Sequence, residues 1–81
     1  MAENPAPRLS LDRIRQDVAD VLRVDPGDLE DDELLLEQGM DSIRLMTLVQ
    51  QWRDETGTDV TFVDLAGRAT LTRWWELLRD K

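Results

Sequence analysis

Apolar side chains recur at intervals of three and four residues in three separate segments of the chain. This spacing places them on one face of an α-helix, and polar residues fill the other faces. The three apolar stripes are Leu11, Ile14, Val18, Val21 and Leu22, then Leu45, Leu48, Val49 and Trp52, and finally Leu71, Trp74, Trp75 and Leu78. No segment shows the apolar–polar alternation of a strand. The sequence therefore predicts an all-α domain with three amphipathic helices.

Short polar side chains that can accept backbone N–H groups stand before each stripe and before one further short segment. Such residues favour the N-cap position of a helix. The predicted N-caps are Ser10, Asp41, Thr61 and Thr70. Asp41 makes Ser42 the first residue of the second helix. In the first helix, Asp17 falls among the polar positions and is expected to face away from the core.

Helix-ending residues complete the pattern. The first helix is expected to stop near Arg23, because Pro26 lacks an N–H group and disfavours helical geometry in the residue before it. Gly57 can adopt the left-handed conformation that ends the second helix. Gly67 closes a short third helix over 62–66. The predicted fold is a four-helix bundle, with three long helices and one short third helix.

The connection from Val24 to Met40 is the most acidic part of the chain. It contains seven acidic residues and no basic residue, which is typical of a solvated loop. A long loop without structure of its own is nevertheless unusual in a compact domain. We therefore expect a short helical turn near Leu35–Gln38. We also expect four leucines to hold the loop against the helices, namely Leu29, Leu34, Leu35 and Leu36.

Length and charge limit the possible functions. Eighty-one residues predict a single small domain over 9–81, preceded by a flexible arm over 1–8 that contains two prolines. The 18 acidic and 10 basic residues give a formal net charge of −8, which argues against nucleic acid as a partner. No stretch has the pattern of a secretory signal or a membrane span. These features predict a soluble, cytoplasmic protein.

The chain contains no cysteine and no histidine. It therefore has no disulfide, no thiolate nucleophile and no cysteine zinc site, and it lacks the usual general base. No catalytic residue and no metal site is predicted, and the protein is not expected to be an enzyme. If it works through a thiol, that thiol must arrive on a prosthetic group.

Asp41 and Ser42 form the most informative pair of residues. In one interpretation they are only a capping pair, since aspartate and serine begin many helices. In the other, Ser42 carries a phosphoester, because free N–H groups and the positive end of the helix dipole favour a phosphate at this point. The spacing alone leaves both interpretations open.

Two apolar residues near Ser42 lie off the stripe of the second helix. At about 100° per residue, Ile43 and Met46 face away from the side defined by Leu45 and Leu48. They are expected to form a docking patch, for which the adaptable methionine side chain is well suited. The alternative is that the acidic loop or the third helix buries them. Trp74 and Trp75, by contrast, are interpreted as core residues.

The segment Gly39-Met40-Asp41-Ser42-Ile43-Arg44 resembles the phosphopantetheine attachment motif of carrier proteins. The similarity is greatest to the aryl carrier proteins of non-ribosomal peptide and siderophore biosynthesis. It continues through Met46, Trp52, the segment 62–66 and the Trp74-Trp75 pair. Two positions depart from the usual pattern: Ala69 stands where proline is common, and Met40 replaces leucine or glycine.

The resemblance implies that 4′-phosphopantetheine is attached to Ser42, beside Asp41, and holds an aromatic acyl group as a thioester. It also implies three partners: a phosphopantetheinyl transferase, an aryl-acid adenylation enzyme and the condensation domain of a non-ribosomal peptide synthetase. The chain is expected to act as a monomer. The residues expected to dock these partners are Met40, Ile43, Met46, Phe62 and Ala66.

Three alternatives stay open. The chain could be a peptidyl or other acyl carrier. A fatty-acid carrier fits less well, because those proteins place carboxylates on the second helix, whereas Arg44 is the only charged residue between Ser42 and Arg53. An unmodified acidic helical adaptor would use the same exposed apolar side chains to bind another protein.

Overall fold

The structure, a computed structural model, describes residues 9–79, and every regular element in that range is helical. The α-helices are α1 (Leu11–Leu22), α2 (Ser42–Thr56), α3 (Phe62–Ala66) and α4 (Leu71–Arg79). Two 3-10 turns, Pro26–Asp28 and Leu35–Gln38, lie in the connection between α1 and α2. The predicted all-α fold is therefore confirmed. The proposed arm over 1–8 lies outside the described residues.

Side-chain caps begin the four α-helices at the predicted positions. Ser10 Oγ accepts the Arg13 N–H at 3.1 Å, and Thr70 Oγ1 accepts the Arg73 N–H at 3.1 Å. The end of α1 has a local cause that the prediction missed. Arg23, three residues before Pro26, itself adopts the left-handed conformation, with φ 62°, and donates its N–H to the Ala19 carbonyl. The helix therefore ends before the position at which the proline would interrupt it.

The core contains the predicted stripes of α2 and α4. Trp52 and Trp74 are fully buried, and their rings meet edge to face with centroids 5.9 Å apart. Such a contact adds to the large apolar area that each ring buries. Trp75 departs from the core prediction, because it is only partly buried and its ring lies 4.7 Å from the Arg79 guanidinium.

Asp17 is buried, contrary to the prediction that it faces away from the core. Its Oδ2 atom accepts hydrogen bonds from Trp52 Nε1 and from Arg13 Nε, both at 2.8 Å. Arg13 also pairs with Glu55 of α2. A buried indole N–H requires an acceptor, and Asp17 supplies it from the facing helix. The contact aligns α1 with α2.

The acidic connection is held by two of the four predicted leucines and by hydrogen bonds. Leu29 and Leu35 are buried as predicted, but Leu34 and Leu36 are 42% and 67% exposed, so the prediction was wrong for those two. Adjacent side chains in a tight turn point in different directions, and here only Leu35 faces the core. The loop is fixed by hydrogen bonds, among them Glu30 N–H to Gln38 Oε1 (2.9 Å) and Leu35 N–H to the Ala69 carbonyl (2.7 Å).

Candidate functional site

The start of α2 is a capped helix terminus that presents Ser42 to solvent. Gly39, with φ 113°, turns the chain out of the preceding 3-10 turn. Asp41 then adopts an extended conformation, and its Oδ1 atom accepts the Arg44 N–H at 2.8 Å. Ser42 follows as the first helical residue and is exposed. Its hydroxyl is therefore accessible at a point that the backbone and Asp41 hold in place.

The charges at this helix start are balanced. Arg44 Nη1 lies 2.6 Å from Asp41 Oδ2, so the negative charge of Asp41 is paired with a positive charge on the helix that it caps. The Arg44 backbone N–H, and then the nearby guanidinium, hold the pKa of Asp41 below its ordinary value. A phosphodiester on Ser42 would therefore meet a paired carboxylate and a nearby cation. This environment suits an added negative charge.

Lowering the pH is expected to weaken the start of α2. The folded-state pKa of Asp41 lies below 3.8, so the ionised carboxylate stabilises the fold above that value, and this contribution is lost as the pH falls through the folded-state pKa. Asp41→Asn keeps a capping oxygen that cannot ionise. Its Tm should lie below that of the wild type at neutral pH, and the difference should disappear as the pH falls below the folded-state pKa of Asp41. A Tm difference that stays constant over this range would contradict the assignment.

An open groove of about 580 Å³ runs from Ser42 along α2 and faces α3. Its lining is Ser42, Ile43, Met46, Thr47, Gln50 and Phe62. Ile43 is 77% exposed and Met46 is 41% exposed, whereas Phe62 packs partly against the core. Apolar side chains from two helices thus meet beside the exposed serine. A cluster of this kind is typical of an interaction surface.

Of the other two residues expected to dock partners, one is exposed and the other is buried. Ala66 is exposed near the end of α3 but does not line the groove. Met40 is only 4% exposed and belongs to the core, so its predicted place on the docking surface is corrected. The Met40 N–H donates to the Leu35 carbonyl at 2.9 Å, and this turn directs the side chain inward. A methionine beside a functional motif can be buried or exposed, and local spacing does not distinguish the two.

Three surface residues of this region were not predicted from the sequence. Val63 is 77% exposed on α3, and Thr47 and Gln50 line the groove on α2. A signal for Val63 existed: Leu65 faces the core, and a residue two positions earlier lies about 200° away around a helix. Thr47 and Gln50 are polar and carry no such signal.

Within residues 9–79, no group of three or more Asp, Glu, His or Cys side chains is arranged to hold a metal ion. No helix there is long and apolar enough to cross a membrane.

Comparison with known proteins identifies a family and several relatives. The family model described as the phosphopantetheine attachment site matches residues 12–78. The chain is similar to isochorismatase of Bacillus subtilis, with 51% identity over 86% of this chain and 22% of the relative. It is 45% identical to acyl carrier protein ScoB of Streptomyces coeruleorubidus, over 91% of this chain and 85% of the relative. A third relative, phenyloxazoline synthase MbtB of a Mycobacterium species, is 35% identical over 84% of this chain and 6% of its own length.

The chain therefore spans only 22% of the isochorismatase and 6% of the phenyloxazoline synthase, but 85% of the acyl carrier protein. No solved structure matches it.

The start of α2 fits the prosthetic group that the family model specifies. The Ser42 hydroxyl is exposed beside an apolar groove, whereas Ser10, the other serine of the chain, uses its hydroxyl to cap α1. Since the family model covers most of the chain and the helical fold agrees with it, the protein belongs to the family of phosphopantetheine-dependent carrier proteins, and its cofactor is 4′-phosphopantetheine.

Proposed function

We propose that 4′-phosphopantetheine is attached to Ser42 and that the protein carries an aromatic acyl group in non-ribosomal peptide or siderophore biosynthesis. The observation that carries this proposal is the position of Ser42, which is exposed at the first residue of α2 and lines an apolar groove. When bound, the group supplies the thiol that the chain lacks, and the acyl group is held on it as a thioester.

The residues around Ser42 hold the attachment point and do not activate it. Asp41 is engaged by the Arg44 N–H and guanidinium, so its carboxylate caps the helix and is not free to act as a base. The chain has no histidine to take its place. On this proposal the proton of the Ser42 hydroxyl is taken up outside this chain during the transfer. On this proposal the carrier catalyses no step, and tethering raises the effective concentration of the acyl group to the order of millimolar.

The groove is the proposed docking surface for the enzymes that load and unload the carrier. Ile43 and Met46 of α2, with Phe62 and Ala66 of α3, would contact a phosphopantetheinyl transferase, an aryl-acid adenylation enzyme and a condensation domain in turn. The exposed methionine suits a surface that must fit several partners. We propose that the protein works as a monomer in the cytoplasm, where coenzyme A and ATP are available. In this proposal residues 9–81 form the carrier domain.

The aryl specificity rests on similarity. The motif from Ser42 to Arg44, the segment 62–66 and the Trp74-Trp75 pair resemble aryl carriers. One relative is a phenyloxazoline synthase, whose name specifies a product with a phenyl group. The groove is open, so selectivity for the acid should belong to the adenylation enzyme that recognises this surface.

Loading experiments test the aryl assignment. The holo protein should be acylated efficiently by stand-alone enzymes that activate benzoic-acid derivatives, and poorly by enzymes that activate aliphatic amino acids. Each enzyme is supplied with its own acid and ATP, and the thioester is read by intact mass. The Ser42→Ala protein is the control for acylation elsewhere. Efficient charging by the amino-acid enzymes alone would place the protein with the peptidyl carriers.

A second candidate function is supported by one comparison. The Streptomyces relative, most of whose length the chain covers, is named an acyl carrier protein without reference to an aryl group. A carrier of another acyl group would use the same Ser42 chemistry. Enzymes that activate other carboxylic acids are therefore included in the same assay. Failure of Ser42 to accept any phosphopantetheine would instead favour an unmodified adaptor.

A further inference from the structure

Helix α3 is too short to be stable by itself. It contains five residues, and an isolated helix needs about 12–15 residues to be even marginally stable in water. The Thr61–Asp64 capping box satisfies N–H groups at its start. Its position relative to α2 must therefore come from contacts with the rest of the domain.

Two side-chain donors from neighbouring helices hold α3 near its two ends. Arg53 Nη1, near the end of α2, donates to the Val60 carbonyl at 3.2 Å, just before α3 begins. Trp74 Nε1, on α4, donates to the Leu65 carbonyl at 2.9 Å in a buried position. The last carbonyls of a helix have no partner within the helix, so the indole satisfies one that would otherwise be buried without a bond.

Phe62 lies between these two points along the chain. The side chains of Val60 and Leu65 on either side of it are fully buried, so the backbone of α3 is fixed at both anchors. Phe62 is thereby held in the lining of the groove that it shares with Met46. Trp74 also contacts Trp52 of α2 through the edge-to-face pair, so the same residue connects α3 with α2.

We infer that Arg53 and Trp74 are positioning residues that set the spacing between α2 and α3 and so determine which enzymes can use the carrier. The inference rests on the proposed docking role of the groove. An enzyme that contacts Met46 and Phe62 together needs this spacing. The attachment site itself, Ser42, lies at the start of α2, which Asp41 and Arg44 hold independently of α3, so modification can still reach completion when α3 moves.

The test compares variants that remove one donor with matched variants that do not. Trp74→Phe removes the N–H but keeps an aromatic ring. Trp75→Phe makes the same change at the neighbouring, partly exposed residue, whose ring contacts Arg79. Arg53→Ala removes an exposed donor with little risk to the core, and Arg53→Lys restores a cationic donor. Three experiments are carried out for each variant: labelling by coenzyme A and a transferase, the kinetics of acyl loading (kcat and KM), and amide hydrogen exchange in α3.

For Trp74→Phe and Arg53→Ala we expect the KM for loading to rise about tenfold, the effect of losing one such hydrogen bond. The kcat for loading and the final extent of labelling should stay near wild type, and the amides of 62–66 should exchange faster. Trp75→Phe should behave as wild type, and Arg53→Lys should recover most of the KM.

Three outcomes would overturn the inference. One is an unchanged KM in both donor-removing variants. Another is a loss of labelling and loading in equal proportion that follows Tm, which would show a purely structural role. The third is a failure of Arg53→Lys to recover any of the loss. A wild-type chain that cannot be labelled at Ser42 would instead contradict the proposed function, so the two failures are distinguishable.

Discussion

Ser42→Ala should abolish modification by coenzyme A and a phosphopantetheinyl transferase while leaving the fold intact. The Ser42 hydroxyl is exposed at the first residue of α2, and the capping bonds at this end are made by Asp41 and the Arg44 N–H. Alanine is the most favourable helix residue, so the free energy of unfolding should change little. Intact mass after incubation shows the modification, and thermal unfolding shows the stability.

Ser10→Ala is the matched control, because Ser10 is the chain's other serine and also begins a helix. Its Oγ accepts the Arg13 N–H at 3.1 Å, so this variant should lose about 1 kcal/mol of stability and be labelled normally. The two variants should therefore differ in both measurements: Ser42→Ala loses the modification, and Ser10→Ala loses a helix cap. A Ser42→Ala protein that still gains phosphopantetheine would refute the assignment of the attachment site.

Met46→Asp should reduce acyl transfer to a condensation partner by about tenfold or more, at small cost in stability. Met46 is 41% exposed in the groove, so a carboxylate there stays hydrated in the free protein. It would have to be desolvated against the apolar surface of a docked enzyme. Transfer is measured by the disappearance of the acylated carrier, and stability by Tm.

Met40→Asp makes the same substitution at the other methionine near Ser42. It should have a large effect on stability, in contrast to the small effect expected for Met46→Asp. Met40 is 4% exposed, so the new carboxylate would be buried and the free energy of unfolding should fall by several kcal/mol. Loss of transfer in this variant should therefore accompany unfolding. If Met46→Asp lowers Tm as severely and transfers normally at low temperature, the docking role assigned to Met46 is wrong.

The helices of this protein could be predicted because their signals are local. The caps at Ser10, Asp41, Thr61 and Thr70 and the turn at Gly57 act within a few residues of their own position. The apolar spacing in α2 identified its buried face correctly. The same local signals predict a serine at the start of α2, but its proposed role as the attachment point comes from resemblance to a family motif, because the spacing alone also fits a simple capping pair.

The predictions from local sequence fail where two distant parts of the chain meet. Asp17 looks like a solvent-facing residue of α1, and it is buried only because the Trp52 indole, 35 residues later, requires an acceptor. Leu36 looks like an anchor for the acidic loop, yet it is exposed, and its neighbour Leu35 is buried and donates its N–H to the distant Ala69 carbonyl. In both cases a long-range partner overrides the local pattern.

The sequence by itself determined the helices, their caps and the exposed serine at the start of α2, because hydrogen-bonding and apolar periodicity within a few residues decide them. Tertiary structure decided which residues share the site. It buried Met40 through the turn that closes on Leu35, and it placed Phe62 beside the groove through the contacts that hold α3. A five-residue helix has too little stability of its own, so its position is determined by contacts with the neighbouring helices.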